Sequence, residues 1–171
     1  MKRIMTKKYL YSPWRIDYIL GEKPDDCVMC RAMASQQDQE NLIVYRAKFS
    51  YIMLNRYPYN NGHLMIVPYV HKSALNDLDL QTWQEVTELI RVCEKAFKLA
   101  YHPEGINIGI NLGSAAGAGI AEHVHIHMVP RWNADSNFMS VIGGERVIPE
   151  AFESTFNKLR DAILRVMNDN G

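Results

Sequence analysis

Between His123 and Val129 the chain alternates histidine with apolar residues, His123-Val124-His125-Ile126-His127-Met128-Val129. Period-two alternation specifies a strand, with the imidazoles on one face and Val124, Ile126 and Met128 on the other. The apolar face requires a core to cover it. The imidazole face is then expected at a surface or cleft. Half of the six histidines lie within these five residues, and a merely structural strand has no use for that.

The spacing restricts the chemistry. Alternate strand residues lie about 6.6 Å apart, so His123 and His127 would be about 13 Å apart along a straight backbone. Two of the three could share a metal, but convergence of all three would be strained. Alternatively, each imidazole meets a different atom of an extended substrate. Neutral imidazole is a nucleophile, and protonated imidazole is an acid and an anion binder. A row of them suits a chain of phosphates.

The surrounding sequence predicts alternating strands and helices. Residues 9–20 read as an irregular segment over the body. Strands are expected at Leu42–Arg46, Ser50–Asn55 and His63–Pro68, the last two forming a hairpin through a turn marked by Pro58, Asn60, Asn61 and Gly62. Leu80, Trp83, Val86, Leu89, Ile90, Cys93, Ala96, Phe97 and Ala100 recur at helical spacing after Asp79, a suitable N-cap. Gly105–Leu112 reads as another strand. A final helix is expected from near Pro149, with Phe152, Phe156, Leu159, Ile163 and Val166 on one face. Hairpin-joined strands with helices set apart give an α+β fold with an antiparallel sheet. The long helix and the Gly105–Leu112 strand carry more apolar residues than one small sheet need cover, which points to a two-fold dimer with a continuous sheet.

Composition excludes some classes. With 171 residues and 47% apolar content the chain can form one real core. Zero net charge provides no global field for nucleic acid, so a phosphate ligand must be held by local groups. No apolar run is long enough to span a membrane, and the basic start lacks a signal peptide's apolar stretch. Three cysteines, without a secreted disulfide pattern, suggest a reducing cytoplasm.

Two further constellations carry chemistry. In Asn111-Leu112-Gly113-Ser114-Ala115-Ala116-Gly117-Ala118-Gly119, glycines let backbone N–H groups approach an anion, although the loop is neither a P-loop nor a dinucleotide fingerprint. Cys27-Val28-Met29-Cys30 can grip one zinc if two more ligands are supplied, and a redox pair competes with that reading. His63, His71, His102 and His123 are the candidates. Cys93 sits on the apolar helix stripe and reads as core.

The alternating motif resembles that of the histidine triad (HIT) nucleotide-binding proteins, and the match is complete from His123 to Val129. It extends to Gly62-His63-Leu64-Met65-Ile66-Val67-Pro68 with His71, and to Asn111-Leu112-Gly113-Ser114, covering roughly residues 27–138. The resemblance implies a five-stranded antiparallel sheet with helices, usually dimeric. It implies a single HIT domain over residues 1–171, with an N-terminal segment 1–26 and a C-terminal helical extension 139–171. The run through Asn137-Phe138-Met139 and Glu145–Glu150 is similar to the bacterial branch named diadenosine tetraphosphate phosphorylase.

The resemblance also implies roles. His125 would attack the α-phosphorus and form a covalent nucleotidyl-histidine, which a second acceptor then releases. The carbonyl of His123 would aim its ring, and His127 would donate to phosphate oxygens as charge develops. Asn111 and the N–H groups around Gly117 and Gly119 would hold phosphate. Many relatives carry Gln or Ser just before the first histidine, where this chain has Gly119-Ile120-Ala121-Glu122. Asn55 would hold a ribose, with Tyr51, Leu54 and Ile43 available to sandwich a base. Arg131 suits a phosphate. Trp132 could stack on a second base, within the subunit or across a dimer. His63 could brace the site or contact the ligand. Cys27, Cys30, His71 and His123 would hold a structural zinc. Two other classes remain: a hydrolase whose zinc is held by two triad histidines, and a nucleotide-binding regulatory module with incidental turnover.

Overall fold

The computed structural model describes residues 27–133, 135 and 150–169. The segment 9–20, the run Asn137–Met139 and the helix start at Pro149 lie outside the described residues. In chain order the elements are α1 (Val28–Ala34), β1 (Ile43–Arg46), β2 (Ser50–Leu54), β3 (Leu64–Pro68), α2 (Leu80–Tyr101), β4 (Gly105–Ile110), β5 (Ile126–Arg131) and α3 (Phe152–Asp169). The strands form one five-stranded sheet in the order β1-β2-β3-β5-β4, and every neighbouring pair is antiparallel. This is the expected α+β architecture. Among the described residues no helix is long and apolar enough to cross a membrane.

Alternation along the strands separates two apolar layers. Ile52, Leu54, Leu64, Ile66, Ile126 and Met128 face α2 and α3, where Val86, Leu89, Cys93, Phe97, Phe156, Leu159 and Ile163 meet them. Ile43, Tyr51, Met65 and Val67 point to the opposite side, where Met29 and Ala32 of α1 cover them. In the sheet, Met65 lies beside His127. The imidazole face is therefore the one turned away from the two long helices.

Local signals explain the element ends. The Asp79 carboxylate accepts the Thr82 N–H at 2.8 Å and caps α2, as its position predicts. His102 ends α2 in the left-handed conformation at φ +46°. The β2–β3 turn depends on Gly62, at φ +74°, where a Cβ would sit 3.2 Å from the Tyr101 ring and 3.3 Å from Pro130.

Several expectations need correction. Helix α1 is absent from the sequence reading, because seven residues hold too little periodicity to register. Leu80 and Phe152 belong to the expected apolar stripes but are 69% and 42% exposed, each being the first residue of its helix. The β4 strand stops at Ile110 rather than Leu112. Tyr51, Leu54 and Ile43 are core residues with no surface to offer a base. Most consequentially, the strand expected from His123 begins only at Ile126. The chain bends before it because the Val124 N–H donates to the Lys72 carbonyl at 2.7 Å, outside the sheet ladder.

Candidate functional site

The bend divides the three histidines between two environments. His123 turns toward α1. Its Nδ1 lies 3.3 Å from Cys27 Sγ and 3.5 Å from Cys30 Sγ, and Cys30 Sγ is 3.2 Å from His71 Nδ1. The four ligand atoms of Cys27, Cys30, His71 and His123 lie within 4.8 Å of one another. Ligand bonds of about 2.3 Å to sulfur and 2.05 Å to nitrogen place tetrahedral neighbours about 3.5 Å apart, so the cluster has zinc dimensions. The Nε2–H of His123 donates to the Pro68 carbonyl at 2.9 Å. A carbonyl can only accept, so Nδ1 is left bare to face the cysteines. Burial, together with neighbouring Cys27, pushes the Cys30 thiol up to about 11. A cation among these groups would favour the thiolate. His63 and His102, the other candidates, take no part.

His125 stands at the bend, next to β5. Its Nδ1–H donates to the His123 carbonyl at 2.8 Å, the contact expected for a carbonyl aiming this ring. Nε2 has no hydrogen-bond partner among the described residues. Burial lowers the His125 pKa below the usual imidazole range, and the bond to the His123 carbonyl offsets this only in part. The ring is therefore neutral near pH 7, with its lone pair on Nε2.

His127 is set by a different chain of contacts. The Tyr59 N–H donates to His63 Nδ1 at 3.0 Å, which places the His63 proton on Nε2. His63 Nε2 then donates to His127 Nδ1 at 3.0 Å. In its neutral form His127 consequently carries its proton on Nε2. The His125 and His127 rings meet edge to face, with centroids 4.7 Å apart. Burial, reinforced by His127 and His125, holds the His63 pKa down at about 3. His63 braces the site. Of the surface or cleft expected for the imidazole face, an open surface is excluded, since His125 and His127 are 5% and 9% exposed. Tyr59, which the sequence reading did not single out, lies tilted over both His63 and His127. A tyrosine inside a turn gives no periodic signal.

The remaining expected residues are distributed unevenly. Asn55 belongs to this group: its side-chain oxygen caps the Tyr57 N–H and its amide lies 3.4 Å from His63 Nδ1. Ile110 pairs with Ile126 as the last rung of the β4–β5 ladder, and Asn111 follows β4 directly. Gly109 pairs with His127 and leaves open space there. The glycine loop makes one short turn at Ser114–Ala116, flanked by Gly113 at φ +79° and Gly117 at φ +89°, and it is largely exposed through Gly119. Arg131 is not brought to the triad. It forms a two-pronged pair with Asp135 at 2.6 and 2.9 Å and donates to Asn107. Trp132 packs edge-on against Tyr101.

Comparison with known proteins agrees with this geometry. The HIT domain family model matches residues 36–134. The chain belongs to the HIT family, whose members are nucleotide hydrolases and transferases. It is 41% identical to a protein of Mycobacterium tuberculosis named AP-4-A phosphorylase, over 85% of this chain and 79% of that one. It is also 29% identical to the bis(5'-adenosyl)-triphosphatase of Saccharomyces cerevisiae, over 55% of this chain and 46% of the relative. Among solved structures it is similar to a Zn-bound histidine triad family protein from Mycobacterium smegmatis, with a TM-score of 0.68 and 26% identity, over 84% and 97% of the two chains.

The buried, neutral His63 makes stability depend on pH. Its folded pKa of about 3 lies below the usual imidazole value of 6.5. Between these values the unfolded chain takes up a proton that the native state excludes, so stability falls as pH falls through this window. It is fully present above pH 6.5. From pH 7 to pH 5 the expected loss from His63 is on the order of 2 kcal/mol. Urea titrations at both pH values should show it, and His63→Gln should flatten the dependence. Equal slopes in parent and variant would contradict this account.

Proposed function

We propose that this chain transfers a nucleotidyl group from a dinucleoside polyphosphate, through a covalent intermediate on His125, to phosphate or water. The observation that carries the reading is the His123 carbonyl bond to His125 Nδ1, which leaves a neutral Nε2 as the attacking atom. The name of the M. tuberculosis relative supports a substrate of the diadenosine tetraphosphate type and phosphate as the acceptor. We read residues 1–171 as one HIT domain acting in a reducing cytoplasm, which suits three free cysteines.

In the first step the Nε2 lone pair of His125 attacks the α-phosphorus in line. The N–P bond forms as the bond to the bridging oxygen breaks, and the remaining nucleoside polyphosphate leaves with that oxygen. The imidazole becomes positively charged, and the His123 carbonyl stabilises its Nδ1–H. His127 Nε2–H donates to the oxygens that gain charge. Asn111 and the backbone around Gly117 and Gly119 hold phosphate, and Asn55 holds a ribose. In the second step the acceptor oxygen attacks the same phosphorus and the N–P bond breaks. Phosphate yields a nucleoside diphosphate, and water yields a monophosphate.

Cys27, Cys30, His71 and His123 would hold zinc as a structural ion. Four protein ligands leave no open coordination position, and the cluster contains only one triad histidine. A hydrolase with zinc between two triad histidines is therefore not favoured. Arg131 and Trp132 remain candidates for the distal part of the substrate, with Trp132 able to reach a second nucleoside. A two-fold dimer would pair the β4 edge, where Ile108 is exposed, with its copy.

Four outcomes follow. With diadenosine tetraphosphate, ADP should form only when phosphate is added, whereas AMP with ATP would mean hydrolysis. His125→Ala should lower kcat by at least about a thousandfold while retaining nucleotide binding. Mass spectrometry of the quenched parent should find a nucleotidyl adduct on His125, and retention of a few per cent of kcat by the variant refutes the scheme. Elemental analysis should find zinc, and its removal should lower Tm by about 5 °C or more while changing kcat at room temperature less. Protein purified without chelator and containing no metal overturns that site. Light scattering at micromolar protein should give about twice the chain mass of 19.7 kDa, and a fully active monomer would rule out the dimer.

A further inference from the structure

Glu150, just before α3, lies at the centre of a dense polar cluster. One carboxylate oxygen accepts the Tyr101 hydroxyl at 2.5 Å, the Thr155 hydroxyl at 2.8 Å and the Asn61 amide at 3.1 Å. The other accepts the Ser154 hydroxyl at 3.0 Å and pairs with Lys158. Burial raises the Glu150 pKa, but the bonds from Lys158, Tyr101, Asn61 and Thr155 together outweigh it and hold the group at about 2. Capping a helix start requires one acceptor. A carboxylate with five donors, drawn from α2, α3 and the β2–β3 turn, has a further use.

That use is set by what the turn carries. Asn61 is two residues before His63. Between them stands Gly62, pressed against the Tyr101 ring whose hydroxyl binds Glu150. Asn60 is anchored on the other side by the Pro130 carbonyl at 3.0 Å and the Asp135 carboxylate at 2.8 Å. The turn is thus clamped from both flanks. Its own backbone supplies the Tyr59 N–H that fixes the His63 tautomer, and His63 in turn sets His127. A shift of a few tenths of an ångström at Asn61 would be felt at a 3.0 Å bond.

We propose that Glu150 is a positioning residue for the triad, acting through Asn61 and the β2–β3 turn to hold His63 against His127. Helix α3 is then part of the catalytic support as well as a cover for the sheet. The assignment rests on the proposed role of His127 as donor to the transferred phosphate. Glu150 touches no reacting atom.

The test compares Glu150→Gln, Asn61→Ala and the double variant in the full chain. Each single variant should lower kcat about tenfold and leave KM for diadenosine tetraphosphate within about twofold. Because both changes break one link, the double variant should be no slower than the slower single variant. Imidazole nitrogen NMR should show the His63 Nε2–H resonance in the parent and its loss or faster exchange in the variants. If Glu150→Gln does not fold, Asn61→Ala is judged alone by the same measures. A variant with lowered Tm but unchanged kcat and an intact His63 resonance overturns the proposal, as does additivity in the double variant. Quench analysis of the parent separates the two levels. Without a nucleotidyl adduct the transfer reading fails, and persistence of the His63 resonance in the variants then decides the positioning claim.

Discussion

The hydrogen bond from His125 Nδ1–H to the carbonyl two residues earlier is the contact on which the site depends. A regular strand cannot make it, because carbonyls there are committed to neighbouring strands. The chain makes it by delaying β5 until Ile126 and sending the Val124 N–H to Lys72. This irregular step lets one residue serve two centres. The ring of His123 belongs to the cysteine cluster, and its carbonyl belongs to His125. Tension at one centre is transmitted to the other through a single residue's bonds.

Much of this was legible in the sequence because two kinds of pattern were strong. Alternation fixed which face of β5 meets α2 and α3, and the helical spacing of Val86, Leu89, Cys93 and Phe97 fixed the partner surface. Residue type supplied Cys27 and Cys30 with four candidate histidines, and only the family resemblance singled out His71 and His123, which the structure gathers with the cysteines. What stayed hidden shares a physical cause: it depends on backbone geometry between elements. No periodicity announces the bend at His123, the seven-residue α1 or the turn that brings Tyr59 over His63. The length of a straight strand suggested that His123 and His127 stand far apart on one face. The structure separates them by environment instead, with His123 beside the cysteines and His127 beside His63, because the first histidine leaves the ladder.

Both faces of the sheet are covered, but by different materials. One is covered by apolar stripes from two long helices. The other has α1 over Met65 and Val67 and then passes into the imidazoles, where polar contacts take over. Apolar packing tolerates small rearrangements more readily than hydrogen-bonded rings do, since ring-to-ring bonds weaken steeply with distance and angle. This accounts for the polar ties at Asn60, Asn61 and Glu150 around the turn before His63.

Cys93 lies wholly inside the layer between α2 and the sheet, and burial drives its thiol pKa far above the usual range. It is closed to alkylating reagents while the fold persists. The two sulfurs left within reach are those beside the histidines, Cys27 and Cys30. With the proposed zinc at the cluster, thiol counting on the native protein would become a gauge of occupancy: two modifiable sulfurs when it is empty, shielded ones when it is filled, and a third only after unfolding.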